Sequence, residues 1–303
     1  MLKSKTLLEK VNNKYIDLKA NKYSIISSND AILNNNERYV SLSNELGNAK
    51  FLLAKAEYNG QSDKIKQIKQ EITTLEKLIL TLKSQLPLKE LTFNCNVCKD
   101  TGIVDNKRCK CFYKYLTEFA LESLEVSNPE NYDFEEVPLN NDLVKQFKII
   151  KNYAENFPNT QINNLILSGS VGTGKTTLAK CILSKVKNND NIAVFLTATE
   201  LNNIFLKIHT GKVDRSLALE VLLGADLLII DDLGTETMLK NVTVEYLLSL
   251  ISERLDKKKP FIITTNLTSK ELLERYNERF LSRLSDKSQT LFIPFFCNDL
   301  RKN

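Results

Sequence analysis

The segment Gly169-Ser-Val-Gly-Thr-Gly174-Lys175-Thr176 sets three glycines ahead of a lysine and a hydroxyl. That is the spacing of a phosphate-binding loop, G-x-x-x-x-G-K-[ST]. Glycines let the backbone N–H groups of Gly169, Ser170, Val171, Gly172, Thr173 and Gly174 close around phosphate oxygens where a side chain would block them. A helix beginning at the loop's end adds its partial positive charge. Lys175 then reaches the β- and γ-phosphates, the Thr176 hydroxyl ligates Mg²⁺, and Thr177 is a further nucleotide-binding residue. About 55 residues on, Leu227-Leu-Ile-Ile runs into Asp231 and Asp232. The first carboxylate suits the Mg²⁺ water shell and the second suits polarising an attacking water. Glu236 either supports that water or, as the reading favoured here, caps the next segment.

Two further groups fit the same chemistry. Asn266 ends the apolar run Phe261–Thr265 and either holds the attacking water or turns the chain toward Thr268-Ser269. Arg279 and Arg283 are four apart, so they share a helix face. They either make surface salt bridges or supply an arginine that reaches a neighbouring subunit's γ-phosphate. Arginine is scarce, eight in all, and four of them (Arg275, Arg279, Arg283, Arg301) lie in the last 29 residues. Arg301 either contacts nucleotide within its own chain or belongs to a solvated tail.

Cys95, Cys98, Cys109 and Cys111 read C-x₂-C-x₁₀-C-x-C. Four thiolates at this spacing suit tetrahedral Zn²⁺, with turns expected at Thr101-Gly102 and Asp105-Asn106. Free thiols, a redox role and an iron–sulfur cluster are the alternatives. Cys181 and Cys297 read as ordinary residues, and His209 as a helix-end residue with no ligand partner near it.

These residues need elements to hold them. Short apolar runs at 165–167, 192–196, 227–230, 261–265 and 290–293 alternate with helical patterns. The expected fold is therefore α/β, a five-stranded parallel sheet with intervening helices. A first helix is expected over 142–156, after a polar linker. Upstream, Leu42, Leu46, Ala49, Leu53 and Ala56 are spaced 4, 3, 4, 3. Ile65, Ile68, Ile72, Leu75, Ile79, Leu82 and Leu86 form a heptad seam. Gly60 suits a helix end, Ser62 an N-cap, and Pro87 a stop. The expected element is an antiparallel helical hairpin over 38–58 and 63–86, serving as a docking arm or packing on its own domain. Residues 1–20 carry a weak helical stripe, and 21–36, rich in Asn and Ser, read as a loop. The expected domains are 1–90, a helical arm; 91–125, a four-cysteine zinc module; and 126–303, the nucleotide-binding core.

With 303 residues, 42% hydrophobic and 26% charged, the chain is too apolar to be wholly disordered. No run of eighteen apolar residues exists, which excludes a membrane-spanning helix. Met-Leu-Lys-Ser-Lys leads into no apolar leader segment, so a cytoplasmic setting is expected. The net charge of +5 arises entirely within residues 1–90, which hold 15 Lys+Arg against 10 Asp+Glu. That surplus is too small to argue nucleic-acid binding by itself. Lys207, Lys212 and Arg215 are candidate DNA contacts, with solvated charge the alternative.

Together these motifs resemble the AAA+ ATPases of the bacterial replicative helicase loader family, the DnaC/DnaI type, which is close to the IstB-type transposition helper ATPases. The resemblance rests on the phosphate loop, Leu228-Ile-Ile-Asp-Asp-Leu-Gly-Thr-Glu, Ile263-Thr-Thr-Asn, Tyr276-Asn-Glu-Arg-Phe-Leu-Ser-Arg-Leu, and Ile293-Pro with Asp299-Leu-Arg. It covers 93–303 well and 1–92 in layout only. It implies an AAA+ core using ATP, Mg²⁺ and Zn²⁺, with Asn266 as sensor 1, Arg283 as arginine finger and Arg301 as sensor 2. It also implies a hexameric replicative helicase bound through the N-terminal region, single-stranded DNA as substrate, and self-association through the core. The family often ends its Walker B strand in Asp-Glu. Asp231-Asp232 is one methylene shorter there, which implies slow hydrolysis. A transposition helper and a nucleotide-gated adaptor with negligible turnover are the alternatives. Nothing resembles the acceptor lid of a P-loop kinase.

Overall fold

A computed structural model describes residues 4–126, 129–137 and 141–295. The chain divides into two compact units, Asn12–Cys109 and the remainder.

In the first unit, helix α1 (Ser4–Asn34, entered here from residue 12) is followed by α2 (Glu37–Tyr58) and α3 (Ser62–Gln85). The predicted loop over 21–36 is instead mostly helix. Asn and Ser cost only tenths of a kcal/mol each in a helix interior, and tertiary bonds outweigh that. Lys22 pairs with Asp100 at 2.9 Å, and the Asn29 side chain exchanges two hydrogen bonds with the Lys89 backbone, 2.8 and 2.9 Å. The hairpin forms as read. Leu42, Leu46, Ala49 and Leu53 of α2 pack on Ile68, Ile72 and Leu75 of α3 within one chain. Flanking Lys50–Glu76 and Lys69–Glu57 pairs are exposed and contribute at most about 1 kcal/mol each, so the apolar seam holds the hairpin. Gly60, at φ +66°, turns the chain between them. The cap before α3 is Gln61 rather than Ser62, which is the first helical residue. A two-stranded ribbon, β1 (Ile103–Val104) and β2 (Lys107–Arg108), completes this unit. Asp105 and Asn106, both at positive φ, form its two-residue turn.

The second unit contains α4 (Lys110–Ser123), α5 (Val144–Asn156), β3 (Asn164–Gly169), α6 (Lys175–Asn188), β4 (Ala193–Thr197), α7 (Ala198–His209) and α8 (Arg215–Gly224). These are followed by β5 (Leu227–Leu233), α9 (Thr243–Asp256), β6 (Phe261–Thr265), α10 (Ser269–Tyr276), α11 (Glu278–Leu284) and β7 (Thr290–Phe295). The five long strands pair in parallel in the order β4-β5-β6-β3-β7. Leu165, Leu167, Ile229 and Ile262 join the α5 and α6 side chains in one core cluster. Ile166, Ile230 and Ile263, pointing the other way, are also fully buried. Burial on both faces explains why these strands read as continuous apolar runs. The stretch before α5 is not a bare linker. Phe134 is buried in the same cluster, as is Phe157 from just after α5, and the Tyr132 amide donates to Ser184 Oγ at 3.0 Å.

Arg254 of α9 is fully buried. Its guanidinium donates to the carbonyls of Leu222 (2.5 Å), Ala225 (3.1 Å) and Pro260 (2.6 Å), tying the end of α8 to the start of β6. Burial pushes its pKa down to about 10, so it remains charged at neutral pH. Arg254→Met takes the guanidinium from the Leu222 and Ala225 carbonyls and leaves the Pro260 carbonyl with the Leu228 amide alone (3.2 Å). The expected cost is about 3–5 kcal/mol in denaturant titration; a loss under 1 kcal/mol would show that the carbonyls find other partners.

Candidate active site

Strand β3 lies between β6 and β7, and its C-terminal end opens directly into the phosphate loop. Gly169, Gly172 and Gly174 take φ values of +150°, +79° and +84°. A Cβ at Gly169 would collide with the Phe295 carbonyl of β7, so only glycine fits there. The loop ends at Lys175, the first residue of α6. The Lys175 ammonium is held by the carbonyls of Gly169 (2.7 Å) and Ser170 (2.6 Å) and by Thr173 Oγ1 (3.3 Å). A cavity of about 230 Å³ sits over the loop. Val171, Gly172, Thr173, Gly174, Lys175, Thr176, Thr177, Asp232 and Asn266 line it. Val137 lines it as well. Sequence reasoning missed that residue. Its only signal was an apolar position in a polar stretch.

The two carboxylates take different jobs because β5 is irregular where they sit. Its register with β6 shifts between Ile230 and Leu233, and Asp232 adopts φ +54°. Such a bulge re-aims side chains. Asp231 accepts from Thr176 Oγ1 (3.0 and 3.1 Å) and from Thr264 Oγ1 (2.6 Å), while Asp232 faces the cavity. Thr264 Oγ1 in turn accepts the Asp232 amide at 2.8 Å, which holds the bulge in place. Burial pushes the Asp231 carboxyl above the usual range; the Thr264 hydrogen bond opposes this and the Asp232 charge adds to it. A divalent cation would offset that cost, and a paired hydroxyl and carboxylate are the hard oxygen donors that Mg²⁺ takes.

Arg279 and Arg283 are exposed on one face of α11. They share a hollow with Leu248 and Ser252 of α9 and do not line the phosphate cavity. Among the described residues, neither has a carboxylate partner. Arg301 and Cys297 lie outside the described residues. Glu236 neither caps α9 nor lines the cavity. It is 3% exposed and faces Arg275 and Tyr276.

The model for the IstB-like ATP binding protein matches residues 113–284, more than half of the sequence. The chain belongs to this IstB-like ATP-binding family. Its core is accordingly a P-loop ATPase of AAA+ architecture, and ATP is its nucleotide. The chain is 31% identical over 141 residues to the chromosomal replication initiator protein DnaA of Treponema pallidum, strain Nichols. That match covers 46% of this chain and 30% of DnaA. It is 28% identical over 156 residues to the replicative helicase loader DnaC of Buchnera aphidicola subsp. Baizongia pistaciae, covering 50% and 61% of the two chains. A crystal structure of the DnaC helicase loader overlaps 53% of this chain and 96% of that one, with 26% identity and a TM-score of 0.46. The chain thus spans under a third of its DnaA relative and about three fifths of its DnaC relative.

In this IstB-like protein the four predicted cysteines come together. The Sγ atoms of Cys95, Cys98, Cys109 and Cys111 all lie within 4.8 Å of one another, with Cys95 and Cys109 at 3.8 Å. Four sulfurs at about 2.3 Å from a tetrahedral Zn²⁺ would be about 3.8 Å apart, so the donor set fits that ion. The Asp100-Thr101-Gly102 segment explains itself locally. Asp100 accepts the amides of Asn94 (3.1 Å) and Cys95 (2.7 Å). Thr101 Oγ1 donates to the Cys98 carbonyl at 2.7 Å. The Gly102 amide donates to Cys98 Sγ at 3.3 Å, and a Cβ there would strike the Tyr15 ring.

Of the candidate DNA contacts, Lys207 is engaged by Glu125 (3.3 Å) and the Leu124 carbonyl (3.4 Å). Arg215 lies over the Tyr246 ring, which also meets the edge of His209 at the end of α7. Cys181 is buried on α6, an ordinary core position.

Proposed function

We propose that this chain is an ATP-dependent loader that places a hexameric replicative helicase on single-stranded DNA. The observation that carries the reading is the four-cysteine knuckle and helical hairpin set ahead of an ATPase core. A transposition helper, the other reading in this family, has a plainer N-terminal segment. The identity with the Buchnera loader supports the same choice.

In this reading the loop amides and Lys175 bind the β- and γ-phosphates of ATP, and Val137 lies beside the nucleotide. Thr176 and Asp231 would hold Mg²⁺, which neutralises phosphate charge when bound. Asp232 takes the proton of the attacking water, and Asn266 orients that water. Arg283 of an adjacent subunit completes the site, so nucleotide state is tied to assembly and ATP acts as a switch. Four thiolates of the knuckle would hold Zn²⁺, and the N-terminal region would dock on the helicase. Arg301 would contact the nucleotide in its own chain.

The test is a loading assay with the cognate replicative helicase and circular single-stranded DNA. We expect ATP-dependent transfer of helicase to the circle, abolished by Lys175→Ala. Intact ATP turnover without helicase association, stimulated instead by duplex DNA and a transposase, would replace the loader with the transposition helper.

A further inference from the structure

Glu236 uses every acceptor it has, and its partners lie on two sides. One carboxylate oxygen, Oε2, accepts the Gly234 amide at 2.9 Å, within the turn that follows Asp232. The other, Oε1, accepts the Tyr276 hydroxyl and lies 3.6 Å from Arg275 Nε. Its backbone carbonyl accepts Arg275 Nη2. Arg275 and Tyr276 are the last residues of α10. Asn277 then joins α10 to α11 at φ +81°, its side chain accepting the Phe280 amide at 3.1 Å. A single buried carboxylate therefore spans from the Asp232 turn to the helix pair that presents Arg279 and Arg283.

Both ends of this bracket are stiff. On the nucleotide side, the Asp232 amide is held by Thr264, and Thr265 Oγ1 donates to the Leu233 carbonyl at 2.6 Å. A Cβ at Gly234 would overlap the Leu267 side chain, so the turn is wedged against the segment carrying Asn266. On the arginine side, Tyr276 and Phe280 are fully buried, their tilted rings packed with centroids 5.1 Å apart. Burial and the adjacent Glu236 carboxylate raise the Tyr276 pKa, so the phenol stays a donor. Removing the carboxylate would strand the buried phenol and take the ion-pair partner from Arg275, which keeps its bond to the Glu236 carbonyl.

We propose that Glu236 is a positioning residue that couples the Asp232 turn of a subunit's own ATP site to the arginine helix that subunit offers its neighbour. A shift at the γ-phosphate would pass through the bracket to α11, so that each subunit's ATP state sets its competence as an arginine donor. This rests on the reading that Arg283 acts on a neighbouring site.

The experiment uses full-length chains mixed in pairs. Asp232→Asn subunits, which keep the phosphate loop and so bind ATP but lack the base, serve only as arginine donors, and Arg283→Ala subunits serve only as active sites. Recovery of turnover on mixing tests the arginine reading by itself; without recovery, that reading fails and the bracket has nothing to act on. Given recovery, Glu236→Gln is added to the donor in one mixture and to the acceptor in another. We expect kcat to fall about 10- to 10²-fold in each, with ATP affinity unchanged, as for a small misplacement of reacting groups. A fall in the acceptor alone would reduce Glu236 to local support of Asp232. A fall in the donor alone would reduce it to a brace for α11, and no fall in either would remove it from the site. Tyr276→Phe, which keeps the ring, repeats the donor arm should Glu236→Gln fold poorly, with the same expectation.

Discussion

Replacing Arg283 by alanine is expected to lower ATP turnover by about 10³-fold while leaving ATP affinity nearly unchanged. The guanidinium is exposed on α11, away from the residues lining its own phosphate cavity. In the proposed reading it stabilises transition-state charge by reaching a neighbour's γ-phosphate, an interaction made in the transition state far more than in ATP binding. Two consequences follow for a turnover measurement. Wild-type kcat should rise with protein concentration, because a lone subunit lacks an arginine, and the variant should stay low at every concentration. Arg283→Lys should recover only part of the loss, because an ammonium lacks the planar fork. Unchanged turnover in Arg283→Ala, or turnover independent of concentration in the wild type, would remove the shared site. Arg279, on the same face, would then be the next residue to test.

The core and its phosphate loop were legible in the sequence because each depends on short-range rules. Strands buried on both faces must be apolar throughout, and the phosphate loop needs its glycines at fixed positions. The heptad seam was equally local. The unread parts depend on distant partners. Nothing near residues 21–36 announces a helix. What stabilises it is Lys22 meeting Asp100 and Asn29 meeting Lys89, far along the chain. Glu236 read as a cap because its partners, Arg275 and Tyr276, come some 40 residues later. The division of labour between Asp231 and Asp232 could be guessed from chemistry. The bulge that turns the second carboxylate into the cavity could not, because it depends on Thr264 of the adjoining strand.

Removing metal from the cysteine cluster is expected to abolish the ordered structure of residues 93–109 while the parallel sheet persists. Apart from Cys98 and Cys109, the buried residues of that stretch are Asp100 and Gly102. Of its apolar side chains, Val97 is 73% and Ile103 57% exposed, and Phe93 and Val104 are only half-buried. A two-stranded ribbon with no apolar core does not hold itself in water. A structural zinc site supplies about 10–16 kcal/mol, far more than the hydrogen bonds around Asp100. We expect one zinc per chain by mass spectrometry. After chelation, the Gly102 and Cys109 amides should lose hydrogen-exchange protection, and those of β3 and β6 should keep it. Asp100→Asn should weaken zinc binding by about 10- to 10²-fold, because Asp100 fixes the Asn94 and Cys95 amides and so aims the Cys95 thiolate. Protection that survives chelation would mean that the thiols need no metal. The proposed docking role of the N-terminal region would then rest on the α2–α3 hairpin alone.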